Sequence, residues 1–233
     1  MATRTVLLAS KIPHTVPMMT FIAAAVLLAL FMGVLLWLFS LASPGRRGAL
    51  TQAADQLNFS YEPWGALSRD IRRAGFCLLQ TGEARYVPHY LHNEHAVLFD
   101  FTTFGGRQPL TQTLIIVPCP ATSAQTQDLH LMMSSQSNIS SDCFNEQRAL
   151  PRLDSKDVPA RLRSLALYAR PIHKAAPALN DEAQSWLLSH SHLHIEWSAG
   201  MLLACQPGYL IEGEEIAQVV ADVQQLADAL RTA

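Results

Sequence analysis

The sequence predicts an α+β protein: an N-terminal transmembrane helix, then one domain with a mainly antiparallel sheet and packed helices, ending in an amphipathic helix. Three observations predict it. Residues 18–42 hold 22 hydrophobic positions in 25, interrupted only by Thr20, Gly33 and Ser40. Strand-like runs follow and precede the helical ones, without regular β-α-β alternation. The end of the chain carries an apolar stripe at helical spacing.

The first element is the membrane segment. No charged side chain occurs between Lys11 and Arg46. Within that window residues 21–42 make a helix of about 33 Å at 1.5 Å per residue, enough for a hydrocarbon core of about 30 Å. The run is apolar all round, with no polar face, and Trp37 stands near its end. Ser40-Leu41-Ala42 has the form of a signal-peptide cleavage site. The apolar run nevertheless exceeds the usual signal length and begins behind a long polar tail, so it reads as an uncleaved anchor. The chain then divides into a tail (1–17), a transmembrane helix (18–42), a linker (43–48) and an α+β domain (49–233).

Charge is distributed unevenly. The chain carries 17 Lys and Arg against 19 Asp and Glu, and every acidic residue lies after residue 54. The segment up to Arg47 therefore carries +4 and the remainder −6. An acidic domain without a basic stripe excludes nucleic acid as the expected partner. The basic flanks suit anionic lipid headgroups. Arg4 and Lys11 on one side balance Arg46 and Arg47 on the other. The arginines lie closer to the apolar boundary, and Arg69, Arg72 and Arg73 follow, which favours a cytoplasmic C-terminal domain at a bacterial inner membrane.

Residues 49–57 read as a short helix. Strand-like runs follow at 75–80, 85–91, 96–104, 111–117 and 129–133. Gly105-Gly106-Arg107-Gln108-Pro109 forms a natural hairpin connection between the third and fourth of them. Residues 121–128 and 134–141 are polar enough for loops. Residues 157–167 look helical, with Asp157 as cap and Pro159 in the first turn. Asn180 caps a further helix, with Asp181 and Glu182 in its first turn. Leu193, Ile195 and Trp197 then alternate with His192, His194 and Glu196, the pattern of a half-buried strand, and Ala199-Gly200 turns it back into 201–205. Ile216, Val219, Val220, Val223, Leu226, Ala227 and Leu230 make the stripe of the last helix, with Glu214 and Glu215 before it and Arg231 at its end.

Chemistry is harder to find. His190, His192 and His194 followed by Glu196 offer a metal-binding arrangement, because residues two apart on a strand share a face. Such a cluster would make the chain a membrane-tethered metal-dependent hydrolase. His89, His92, Glu94 and His95 form a second group. Neither contains an H-E-x-x-H motif, and the histidines read more simply as the solvent face of their strand. Cys143 lies in a polar stretch, but adjacent Asp142 opposes a lowered thiol pKa. Cys77 and Cys205 sit in apolar runs and read as buried small hydrophobes. Asp100, between Phe99 and Phe101, reads as an acid that points outward or caps a turn; a proton-handling role is the sharper alternative. No nucleotide-binding or hydrolase fingerprint appears. The expectation is no catalytic, cofactor or metal residues.

Val97-Leu98-Phe99-Asp100-Phe101-Thr102-Thr103-Phe104-Gly105-Gly106, followed by Thr111-Gln112-Thr113, resembles the central hairpin of a family of bacterial membrane-anchored proteins of unknown function. That family tends to have a strand of the form "FDY-Y", a Gly-rich turn and a "QT" strand; Phe101 and Thr103 stand here in place of the tyrosines. Glu196-Trp197-Ser198-Ala199-Gly200-Met201-Leu202-Leu203 is similar to its late hairpin. The resemblance implies a layout over about residues 50–230 and no mechanism. The expected role is a non-enzymatic, single-pass membrane protein whose domain binds a protein partner or supports a membrane complex.

Overall fold

The computed structural model describes residues 44–81, 86–103, 110–121, 126–134 and 150–232, together with six helical positions between 22 and 31. The expected membrane segment at 18–42 lies outside the described residues apart from those six. Among the described residues no helix is long and apolar enough to cross a membrane. The chain divides into two units, Met1–Gly45 and Arg46–Ala233, and the second contains all eight strands.

All strand pairs are antiparallel. In chain order the elements are α1 (Pro44–Leu57), β1 (Ser60–Ala66), α2 (Arg69–Arg73), β2 (Tyr86–His92), β3 (Val97–Thr103), β4 (Leu110–Pro118), β5 (His130–Ser134), β6 (Ala166–Arg170), α3 (Asp181–Ser189), β7 (His194–Ser198), β8 (Met201–Cys205) and α4 (Ile216–Arg231). The sheet order is β1-β2-β3-β4-β8-β7-β5-β6. An α+β architecture with an antiparallel sheet is therefore what the sequence specifies. The first four strands form a meander, and β8 joins the second half to its inner edge.

Period-two alternation sorts side chains between two cores. On one face, Leu98, Ile115, Val117, Ile195, Trp197, Leu202 and Ala204 pack beneath α1, α3 and α4. On the other, Phe99, Leu114, Ile116, Leu203 and Cys205 meet Leu67, Ile71, Phe76 and Leu78 of the segment that follows β1. Gly65 is required on this second face. A Cβ there would collide with the Tyr90 ring, so the aromatic side chain lies directly over the bare backbone.

The caps and turns follow ordinary local rules. The Asn180 side chain accepts from Ala183 N at 2.8 Å and starts α3. Ala199 and Gly200 both have positive φ, 49° and 76°, as a tight hairpin turn between β7 and β8 requires.

Four expectations are corrected. The first helix begins at Pro44, so residues 44–48 are helical rather than linker. Residues 75–80 form no strand: Leu78–Thr81 is a 3-10 turn, because the Cys77 and Leu78 N–H groups are donated to a side chain instead of a ladder. The predicted helix at 157–167 is absent. Ala160–Leu162 is a single 3-10 turn, and Leu167 and Ala169 alternate into the core on β6, an unforeseen edge strand. Finally, β7 is buried at all five positions rather than half-buried.

A candidate polar centre on the second face of the sheet

The burial of β7 explains the centre. The strand alternates as the sequence predicts, Ile195 and Trp197 entering the helix-covered core and His194, Glu196 and Ser198 turning to the other face. That face is roofed. Residues 74–78 cross it and are fixed at three points: Ser198 Oγ donates to Ala74 O at 2.6 Å, Cys77 N donates to Glu196 Oε2 at 2.5 Å, and Leu78 N donates to Glu196 Oε1 at 2.9 Å. The polar side of an amphipathic strand becomes interior.

Glu196 lies between Met132 on β5 and Leu203 on β8 and has no exposed surface. Burying a carboxylate is costly unless its lone pairs are filled. Here they are. Besides the two backbone donors, His194 Nε2 donates to Oε1 at 2.8 Å and His130 Nε2 to Oε2 at 3.4 Å. Burial alone raises the Glu196 carboxyl, but the hydrogen bonds and charges of His130 and His194 outweigh it and hold the pKa at about 2. Cys77 Sγ lies 4.0 Å from the same His130 Nε2. The ligand atoms of Cys77, His130 and Glu196 all fall within 4.8 Å of one another, the one such group of three among the described residues. The thiol and the carboxylate address the same imidazole nitrogen. A nucleophile–base–acid relay needs opposite nitrogens, so a catalytic triad is excluded by this geometry.

The sequence-predicted histidines do not converge. His190 caps the C-terminal end of α3 and stacks on Trp186 with ring centroids 3.8 Å apart. His192 is exposed, and only His194 enters the centre. The second group separates too: His89 bonds the Tyr61 hydroxyl at 2.9 Å, while His92 and His95 face Glu62 and Glu94 at the surface. Cys77 and Cys205 are buried as expected, and Cys143 lies outside the described residues. Sequence reasoning missed Cys77 and His130 as members of the centre. Their separations from Glu196, 119 and 66 residues, left no local signal.

A second buried acid lies on the opposite face. Asp100 neither points outward nor caps a turn. It is 4% exposed, and Arg46 in the first turn of α1 grips it in a fork, Nε to Oδ2 and Nη2 to Oδ1, both at 2.8 Å. The Thr113 hydroxyl donates to Oδ1 at 2.7 Å, and Arg46 Nη1 reaches Ile211 O at 3.0 Å. Ile211 N in turn donates to Thr113 Oγ1 at 3.1 Å. Arg46 is thus a structural cation of the domain rather than a lipid-facing flank; Arg47 beside it is exposed.

Large apolar side chains also reach the surface of Arg46–Ala233. Five of the described ones are exposed: Trp64, Tyr86, Leu110, Ile172 and Tyr209. The register brings two of them together at the edge of the sheet. Trp64 lies opposite Pro88 and Tyr86 opposite Ala66, hence on one side of the β1–β2 ribbon. Leu110 lies on β4, separated from β1 by β2 and β3, and Tyr209 O accepts from Thr113 N of the same inner strand at 2.9 Å. Ile172 follows β6 at the opposite end.

Compared with protein-family models, curated proteins and solved structures, the chain matches none.

Proposed function

We propose that the chain is a single-pass bacterial inner-membrane protein, with its C-terminal domain in the cytoplasm, and that this α+β domain binds a protein partner in a membrane complex. The observation that carries the reading is the pair of exposed aromatics Trp64 and Tyr86 on one side of the β1–β2 ribbon, at the open edge strand β1. Trp64 and Tyr86 are 68% and 70% exposed. Single exposed apolar residues need no explanation, but large ones collected at a sheet edge mark an interaction surface, and Trp and Tyr are the residues most often dominant at interfaces. Pro63 in β1 removes one backbone donor from that edge. The edge is thereby protected against indiscriminate pairing and remains available for side-chain recognition. The apolar run at 18–42 supports the anchor, and Ile22, Val26, Leu27, Leu28, Leu30 and Phe31 are helical and exposed.

Site-specific photocrosslinking of the full chain in its native membrane tests this. A photoreactive residue at position 64 or 86 is expected to give one discrete protein adduct, absent when the probe replaces His173 near the opposite edge. Trp64→Ala should weaken that complex by about tenfold or more, as loss of an anchoring aromatic does. Adducts to lipid alone, or equal labelling at both edges, overturn the reading.

A further inference from the structure

We infer that Cys77, His130 and Glu196 form a binding site for one divalent transition metal of the zinc type, a site the partner-binding reading does not require. The inference rests on the donor set, its convergence and its support. A thiol, an imidazole and a carboxylate together suit Zn²⁺ or Co²⁺ and not the hard cations Mg²⁺ and Ca²⁺, which take oxygen ligands. With Zn–S near 2.3 Å and Zn–N near 2.0–2.1 Å, tetrahedral geometry separates sulfur from nitrogen by about 3.5 Å. Here Cys77 Sγ and His130 Nε2 are 4.0 Å apart, and His130 Nε2 and Glu196 Oε2 are 3.4 Å apart. A contraction of about half an ångström matches the thiol–imidazole pair to one ion, and all three ligand atoms already lie within 4.8 Å of one another.

The convergence of thiol and carboxylate upon a single imidazole nitrogen has the form of a ligand set. The carboxylate is also held from behind, as metal ligands are. His194 Nε2 and Leu78 N occupy Oε1, and Cys77 N donates to Oε2, fixing the plane of the group. His194 therefore acts as a positioning residue through Glu196. Cys77 and Glu196 are buried, whereas the His130 side chain keeps 19% of its surface, so an ion enters from the side of His130. Three protein ligands leave a fourth position for water. On binding, the Cys77 S–H bond breaks and its proton leaves to solvent. The His130 proton moves to Nδ1, so that Nε2 offers its lone pair, and Glu196 binds already ionised.

Titration of the chelator-treated full-length chain in detergent micelles with Co²⁺ alone tests the inference. One equivalent is expected to give the intense visible absorption of tetrahedral cobalt and a thiolate-to-cobalt charge-transfer band in the near ultraviolet, both bleached by one equivalent of Zn²⁺. Cys77→Ser should abolish the charge-transfer band while circular dichroism shows the fold retained. His130→Gln should weaken Zn²⁺ binding by at least about tenfold, the loss that removal of even an outer-sphere partner brings. A His190→Gln/His192→Gln double variant should titrate like the parent. Absence of the charge-transfer band from the parent chain, or its persistence in Cys77→Ser, overturns the site. Neither result bears on the crosslinks at positions 64 and 86.

Discussion

Among the described residues each face of the sheet buries one carboxylate, and the two are satisfied in different ways. On the helix-covered face, Asp100 depends on a single guanidinium delivered by a side chain 54 residues earlier, with Thr113 in support. On the roofed face, Glu196 shares four donors among two backbone amides and two imidazoles. The first arrangement concentrates the countercharge in one flexible residue, and the second distributes it over three elements. Loss of any one donor from Glu196 leaves three, while loss of Arg46 leaves an anion in the core with one hydroxyl.

The largest expected effect follows from that contrast. Arg46→Ala should cost about 3–5 kcal/mol, the usual consequence of orphaning a buried charge. Urea unfolding of the full chain, followed by the fluorescence of buried Trp186 and Trp197, measures it. Joining it with Asp100→Leu should recover a large part of the loss, because an apolar pair of similar volume carries no desolvation penalty. An additive double-mutant cycle would show that the two residues do not act as a pair.

A smaller effect is expected on the other face. Glu196→Gln keeps the shape and one acceptor but presents an NH₂ group to donors, at a cost of about 1–3 kcal/mol in the same unfolding assay. A loss as large as that of Arg46→Ala would remove the distinction between concentrated and distributed pairing.

The smallest effect belongs to a half-buried carboxylate with similar partners. Glu215 accepts from Glu212 N and from the Tyr209 hydroxyl, and both hydrogen bonds lower its pKa, the backbone one more. Its contribution is present above the ordinary carboxylate pKa and is lost as the pH falls through the lowered one. Tyr209→Phe should raise the Glu215 pKa part of the way back, as read by carboxyl carbon chemical shifts, with little change in the midpoint of unfolding. An unchanged Glu215 titration would show the phenol to be irrelevant.

Much of this architecture was legible in residue order. Alternation through Leu98, Phe99 and Phe101, the stripe from Ile216 to Leu230, the Asn180 cap and the Ala199-Gly200 turn are local signals that local physics obeys. The two polar centres were not. A period of two says that Glu196 and Ile195 face opposite ways but not that residues 74–78 will roof the polar side. Arg46 looks like a positive flank because its partner lies far along the chain. The failed helix at 157–167 has a related cause: Leu162 and Leu165 satisfy a helical spacing, while Leu165, Leu167 and Ala169 satisfy an extended one, and pairing with β5 decides between them.

The position of Arg46 also governs how the domain tolerates proteolysis. A trypsin-like cut after Arg46 or Arg47 falls within α1 and separates the guanidinium from Asp100. The released fragment would carry an unneutralised acid under its first helix and lose stability at the moment of release. A soluble version that keeps its fold must begin upstream of Arg46, so shedding by cleavage at this basic pair yields a weakened fragment instead of an intact, diffusible domain.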